Sequence, residues 1–208
     1  MNLLDDRKPE SAFSAPWHNL LPYDGCVEYR GLILSEQKAN DYFQHFMQCI
    51  QWRHDEAVIF GKRICTKRKA AWYGDGDYSY TYSGVEKTAL PWTDALLELK
   101  AAIEANCGEH FNSCLLNLYH DGSEGMAWHS DGETALKKNG TIASLSLGAA
   151  RRFLFKHKQT GEKVETLLAH GSLLLMKGTT QSNWLHHLPV SRKVHTPRIN
   201  LTFRSMSE

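Results

Sequence analysis

Ile142-Ala-Ser-Leu-Ser-Leu-Gly-Ala-Ala-Arg-Arg-Phe-Leu-Phe-Lys156 decides how this chain folds. Two short runs, Ile142–Leu147 and Arg151–Lys156, flank a turn at Gly148. They are too short for helices and rich in alternating apolar positions, so they read as strands. The pattern continues on both sides. Leu116 and Leu118 alternate with Asn117 and Tyr119. After a Thr160-Gly161 turn come Val164–Leu168, then His170-Gly-Ser-Leu-Leu-Leu-Met176, and last Pro197-Arg-Ile-Asn-Leu-Thr-Phe-Arg204. Many short strands at close spacing predict a sandwich or barrel and exclude a parallel doubly wound sheet.

Upstream the periodicity changes. Leu32-Ile-Leu34 predicts a short strand, and Ser35 is placed to cap a helix after it. Ala39, Tyr42, Phe43, Phe46, Met47 and Ile50 recur at helical spacing to about Trp52, as a core-facing stripe. A second helix is predicted from Thr93 to about Asn106, with Leu96, Leu97, Leu99, Ala102 and Ile103 inward and a C-cap near Gly108. Residues 1–25 mix Pro, Ser, Asp and Asn without period and read as a tail or strap, which Trp17 and Tyr23 could pin down. The fold class is therefore mainly β with flanking helices (α+β), in a single domain over residues 26–208.

Between the helices, Glu56-Ala-Val-Ile-Phe-Gly61 reads as a strand entering a tight turn. Lys62, Arg63, Lys67, Arg68 and Lys69 follow within eight residues, and then Tyr78, Tyr80 and Tyr82 at a period of two. Cations neutralise phosphates and rings stack on bases, so this hairpin suits nucleic acid. A solvated hairpin beside a half-buried aromatic strand fits the same residues. Net charge is only +1, so such binding must come from a local patch. The five cysteines are scattered, without a C-x-x-C pair, which suits free thiols inside the cell better than a disulfide or zinc framework. No apolar run reaches membrane-spanning length, and the N-terminus lacks a signal-peptide pattern; the protein is expected in cytoplasm (or nucleoid) or nucleus, not secreted.

Chemistry concentrates in Asn117-Leu-Tyr-His-Asp-Gly-Ser-Glu-Gly-Met-Ala-Trp-His-Ser-Asp131. If Trp128–Asp131 is extended, His129 and Asp131 share a face and can grip one metal ion. Two histidines and a carboxylate are the usual seat of a non-haem Fe(II). The third ligand could come from His186 or His187, which point to opposite faces of an extended Trp184–Pro189. His170 reads as a turn or core histidine, and His110, His120, His157 and His195 as surface residues. On the last strand Arg198, Asn200, Thr202 and Arg204 occupy one face. In water they would be an ordinary polar face; turned inward, the two arginines could hold a dicarboxylate, with help from Asn117 and Tyr119.

These residues resemble the AlkB-type DNA-repair dioxygenases, which use Fe(II) and 2-oxoglutarate. The resemblance runs from about Ile59 to Arg204. It is carried by Phe60-Gly-Lys62, Lys69–Asp75, Tyr80-Thr-Tyr-Ser-Gly84, Asn117-Leu-Tyr-x-Asp-Gly122 and His129-x-Asp131. It continues through Ala143–Ala149, Phe153-x-Phe-Lys-His-Lys158, Ala169–Leu174, Trp184-x-His-x-Leu-Pro189 and Pro197–Arg204. The fold implied is a double-stranded β-helix, of jelly-roll or cupin type, over residues 111–204. Helices buttress it on the N-terminal side, and residues 56–90 form a nucleotide-recognition hairpin.

The resemblance selects His186 over His187 as the third iron ligand. It assigns Asn117, Tyr119, Arg198, Asn200, Thr202 and Arg204 to 2-oxoglutarate, with Arg198 on the distal carboxylate. It implies O2-dependent conversion of 2-oxoglutarate to succinate and carbon dioxide. The methyl of 1-methyladenine or 3-methylcytosine is hydroxylated and then lost as formaldehyde. Phe60, Gly61, Lys62, Arg68, Tyr80, Tyr82, Gly132 and Glu133 fall at substrate positions. Phe60 matches a wedge and Tyr82 a stacking ring for a flipped base, and Glu133 a carboxylate that accepts from the base's exocyclic amine. Gly132 departs from the acidic residue of related members, which bears on the balance between adenine and cytosine lesions. The partner expected is DNA carrying methylated bases, single- or double-stranded, bound by a monomer. RNA, a protein or small molecule, or a non-catalytic DNA-binding jelly roll are the alternatives. The last of these predicts a broken ligand set, whereas His129, Asp131, His186 and both arginines are present.

Overall fold

The computed structural model describes residues 17–59, 62–76, 79–82 and 85–207, and side chains within 55–64 and 77–87 lie outside the description. Strands come in two face-to-face sheets. The larger contains β1 (Cys26–Leu32), β2 (Arg53–Ile59), β3 (Lys62–Gly74), β6 (Leu90–Pro91), β7 (Ser113–Tyr119), β9 (Ile142–Gly148), β12 (Ser172–Lys177) and β14 (Arg198–Arg204), in the order β1-β12-β9-β14-β7-β3-β2 with β6 parallel to β3. The smaller has the order β11-β10-β13-β8, from β8 (Met126–His129), β10 (Arg151–His157), β11 (Lys163–Leu168) and β13 (Trp184–Leu188). The remaining strands, β4 (Ser79–Tyr82) and β5 (Val85–Thr88), form a separate hairpin. From β7 onward the chain passes back and forth between the larger and the smaller sheet, apart from the β10–β11 hairpin within the smaller one, which is the double-stranded β-helix.

The alternation in β14 explains the layering. Ile199, Leu201 and Phe203 turn to one face with Leu116, Leu118, Leu145 and Leu147, and join a core with Phe46, Ile50, Leu96, Leu99 and Ile103 of two helices. Those helices are α1 (Glu36–Cys49) and α2 (Asp94–Cys107). Ser35 Oγ accepts from Lys38 N, and Thr93 Oγ1 from Leu96 N, so both start on the hydroxyl caps that satisfy otherwise orphaned N–H groups. Gly108 ends α2 with φ +72°, a left-handed cap that favours glycine. The opposite face of β1, β9 and β12 meets the smaller sheet through Val27, Ile142, Leu174, Met176, Phe155, Leu168 and Trp184. Emptying a position such as Leu145 to alanine removes about 2–5 kcal/mol of stability.

Several expectations are corrected. The strand expected at Leu32–Leu34 lies earlier, at Cys26–Leu32, because the chain leaves edge strand β1 there; Leu32 is exposed and Ile33 N turns to Gly171 O. Leu97 and Ala102 lie on the solvent side of α2 rather than in its core stripe. His157 is buried, not superficial: Tyr23 and Trp184 pack edge-on against its ring at centroid separations of 5.0 Å. Tyr23 thereby fastens the N-terminal segment, and Trp184 Nε1 donates to its carbonyl. Among the described residues no helix is long and apolar enough to cross a membrane, and all five cysteines are free thiols.

Candidate metal and co-substrate site

Between the sheets lies a cavity of about 440 Å³ walled by β7, β8, β9, β13 and β14. His129 and His186 are direct register partners across β8 and β13, and their ring centroids are 4.2 Å apart. Trp128–Asp131 is not extended throughout, since β8 ends at His129 and Asp131 follows in a loop. The loop still returns the carboxylate: Asp131 Oδ1 is 3.7 Å from His129 Nε2 and 3.8 Å from His186 Nε2. One ligand atom from each residue lies within 4.8 Å of the others, a group that could hold a metal ion. Two imidazoles and one carboxylate are a donor set suited to non-haem Fe(II).

Local contacts prepare each donor. His129 Nδ1 lies 2.8 Å from Ala127 O; as the N–H it donates there and leaves the Nε2 lone pair facing the cluster. Burial pushes His186 down to about 4, despite the opposing pull of Asp131, so its ring is neutral near pH 7. Burial pushes the Asp131 carboxyl up, but Arg204, then His186 and His129, reverse this and hold it below its usual value. His187 points away from the cluster: its ring stacks on Trp128, with Nδ1 2.5 Å from Met126 O. Strand alternation therefore sends the two neighbouring histidines to opposite faces, a choice that spacing alone leaves open.

Deeper in the cavity the polar face of β14 continues the wall. Arg198 is buried; its Nη2 donates to Ser146 Oγ at 2.9 Å and Asn200 Oδ1 at 2.8 Å, while Nε has no partner among the described residues. Its guanidinium lies 5.5 Å from the Tyr119 ring centre, and no carboxylate pairs with it among the described residues. Burial lowers it to about 10, still cationic at neutral pH. Asn200 Nδ2 donates on to Thr202 Oγ1 at 2.7 Å, and Ser144 Oγ donates to Asn200 Oδ1 at 2.9 Å. Asn117 and Tyr119 stand beside this chain of polar groups on β7. A buried cation at the end of a polar cavity is built to receive an anion.

Glu133 also lines the cavity, and its Oε2 is buried without a hydrogen-bond partner among the described residues. Gly132 leaves open space: a Cβ there would meet nothing nearer than Ser130 Oγ at 3.9 Å. Arg68 reaches the cavity and donates to Met126 Sδ at 3.0 Å. Phe60 and Gly61 lie outside the described residues, as do the side chains of Lys62, Tyr80 and Tyr82.

The sequence reading passed over Ser146 and Arg151. Ser146 carried a signal, since the two serines of Ala-Ser-Leu-Ser-Leu share a face. Arg151 reads as surface charge, yet it is buried and donates to the carbonyls of Asp121, Glu124 and Pro189. It holds the 121–125 loop against the 188–194 loop. Gly122 is required there, because a Cβ would stand 2.0 Å from Ser191 O.

Comparison with known proteins follows the same lines. A family model described as the 2OG-Fe(II) oxygenase superfamily matches residues 25–204. The chain is 35% identical over 204 residues to mouse DNA oxidative demethylase ALKBH2, covering 93% of this chain and 85% of that one. It is 38% identical to the human protein of that name, over 88% of this chain and 70% of that one. With mouse alpha-ketoglutarate-dependent dioxygenase alkB homolog 3 it shares 42% identity, over 88% and 65% of the two chains. The solved structure of OsALKBH1 superimposes with a TM-score of 0.58 at 16% identity, covering 91% of this chain and all of that one, a likeness of fold.

Proposed function

This chain belongs to the 2OG-Fe(II) oxygenase superfamily, in its AlkB-type branch, and on that premise we propose that it oxidatively demethylates N-alkylated bases of DNA. The observation that carries the reading is the pairing of two features across one cavity. A His129–Asp131–His186 cluster stands at one side, and the buried cation Arg198 stands deeper on the neighbouring β14 face. When bound, Fe(II) with 2-oxoglutarate and O2 supplies the oxidising chemistry, yielding succinate, carbon dioxide and a hydroxylated methyl that leaves as formaldehyde.

The side chains divide the remaining work. His129 and His186 present ring nitrogens, and Asp131 one carboxylate oxygen, toward a shared point. Arg198 receives the distal carboxylate of 2-oxoglutarate; Asn200 orients that guanidinium and links it to Thr202. Asn117 and Tyr119 line the same pocket, and Arg204 holds the far oxygen of Asp131. Glu133 accepts a hydrogen bond from the exocyclic amine of adenine or cytosine, which satisfies its otherwise orphaned oxygen. Arg68 lines the entry. Lys62, Tyr80 and Tyr82, with Phe60 as wedge and Gly61 in its turn, are assigned to the flipped nucleotide and its neighbours. Residues 26–208 act as one dioxygenase domain, with 1–25 as tail or strap and 56–90 as the recognition segment. The protein is read as a monomer, and its free thiols support an intracellular setting.

The test is aerobic incubation with Fe(II), 2-oxoglutarate and 3-methylcytosine oligonucleotides, single-stranded, duplex and RNA, with formaldehyde measured. Release from DNA is the expected result. No release from any methylated nucleic acid, by protein that binds metal and 2-oxoglutarate, would overturn the reading. Preferential release from RNA would replace its substrate. Phe60→Ala is expected to impair duplex more than single strands.

A further inference from the structure

Asp131 lies beyond the end of β8, so its backbone N–H has no strand partner. A backbone donor inside a protein needs an acceptor, and here it is a side chain: Gln181 Oε1, at 2.9 Å. Gln181 belongs to the short helix α3 (Thr180–Asn183), which runs directly into β13 and His186. That helix is well anchored. Thr180 is buried; its Oγ1 donates to Lys177 O at 2.6 Å and accepts from Cys26 N at 2.9 Å. The other end of the Gln181 amide is also held, with Nε2 donating to Met176 Sδ at 3.4 Å.

A second tie runs alongside. Lys158 closes the Phe-Lys-His-Lys run that the metal and co-substrate roles leave unexplained. Its Nζ donates to Ser130 Oγ at 3.2 Å and Gln181 O at 2.8 Å, and its backbone N donates to Asn183 O at 2.8 Å. Ser130 sits between His129 and Asp131. Both ties border a second cavity of about 560 Å³, walled in part by residues 130–133. Without them that segment has room to shift.

We propose that Gln181, with Lys158 as the second tie, is a positioning residue that latches the Asp131 segment to the helix leading into the His186 strand. The latch fixes the spacing of two donors that come from separate parts of the chain. It rests on the assignment of His129, Asp131 and His186 as metal ligands. Partners behind a ligand typically govern metal affinity by about 10–100-fold.

The experiment measures Mn(II) affinity of the full chain by calorimetry, and the visible spectrum of the Co(II)-loaded protein, without substrate. Gln181→Met keeps length but removes the acceptor, and is expected to weaken Mn(II) binding about tenfold and broaden the Co(II) bands. Gln181→Glu keeps an acceptor and is expected to restore most of the affinity. Lys158→Met, at an exposed position, is expected to fall between. Urea unfolding of the metal-free Lys158→Met and Gln181→Glu variants is expected to stay close to wild type, while Gln181→Met is expected to unfold at a lower midpoint because the Asp131 N–H loses its acceptor. Wild-type Mn(II) affinity in Gln181→Met, or equal losses in the Met and Glu variants, would overturn the latch. If Gln181→Met does not fold, Lys158→Met decides, and unchanged affinity there overturns it. Failure of wild type to bind Mn(II), or unchanged binding in His186→Ala, would instead remove the ligand assignment and the latch with it.

Discussion

Arg204 Nη2 donates to Asp131 Oδ2 at 2.6 Å, and both side chains are buried. The contact divides the carboxylate between two tasks, because Oδ1 faces His129 and His186 while Oδ2 is held from behind. Arg204 also fixes Asp131 to β14, the strand that carries Arg198, so the three-donor cluster and the buried cation share one frame. Arg204→Met leaves an uncompensated buried carboxylate, which costs about 3–5 kcal/mol. Urea unfolding of the metal-free variant should show that loss. Saturating Mn(II) should recover part of it, since a cation then faces Asp131 from the other side. An equal loss with and without Mn(II) would separate Arg204 from the metal position.

Arg198 makes the opposite prediction for stability. It is a buried cation held by neutral groups alone among the described residues, so Arg198→Met removes a desolvation cost and should leave the ligand-free protein at least as stable as wild type. The same change should weaken binding of 2-oxoglutarate, or its unreactive analogue N-oxalylglycine, on the order of a hundredfold. The thermal shift produced by that analogue should vanish while Mn(II) affinity holds. A retained shift would place the distal carboxylate elsewhere.

Cys114 lies on the helix-facing side of β7, packed in the larger core. Burial pushes its thiol well above the ordinary 9.0, against the opposing pull of Arg204. A neutral group favoured by the fold contributes stability in full below the unfolded value, and that contribution is lost as pH rises above it. Native protein treated with iodoacetamide near neutral pH should react at exposed Cys49 and Cys65 and spare Cys114. Cys114→Ala should flatten the decline in stability above about pH 9.

Strand alternation made most of this architecture legible. In β14 a two-residue period with arginines at both ends marked an inward polar face once a second sheet covered it, and Ser35, Thr93 and Gly108 announced helix ends through their own chemistry. Legibility failed where tertiary contact decides. His186 and His187 are equivalent by alternation alone; the family resemblance favours His186, and the pairing of His186 with His129 gives the physical reason. His157 and Arg151 look like surface residues until Tyr23, Trp184 and three backbone carbonyls enclose them. Asp131 leaves its strand early, and the residue that compensates, Gln181, is fifty positions away with no periodicity to mark it.

Glu133 offers the sharpest test of substrate choice. Its Oε2 is buried and lacks a partner among the described residues, an arrangement that costs about 1–3 kcal/mol, or more for a charged group, unless a ligand supplies a donor. The exocyclic amines of 1-methyladenine and 3-methylcytosine are such donors; 1-methylguanine and 3-methylthymine present carbonyl oxygens at the corresponding edge. Wild type should therefore act faster on the amine-bearing pair. Glu133→Gln, whose amide can donate as well as accept, should lower kcat/KM on 3-methylcytosine by about 1.5–3 kcal/mol in transition-state terms, the value of a hydrogen bond to a charged group. The loss on 3-methylthymine should be smaller, or reversed into a gain. Mn(II) and 2-oxoglutarate affinities should not change, because among the described residues no hydrogen bond or ion pair joins the Glu133 side chain to the three-donor cluster or to Arg198. Equal losses on both bases would assign Glu133 to shaping the cavity and leave base selection to other residues.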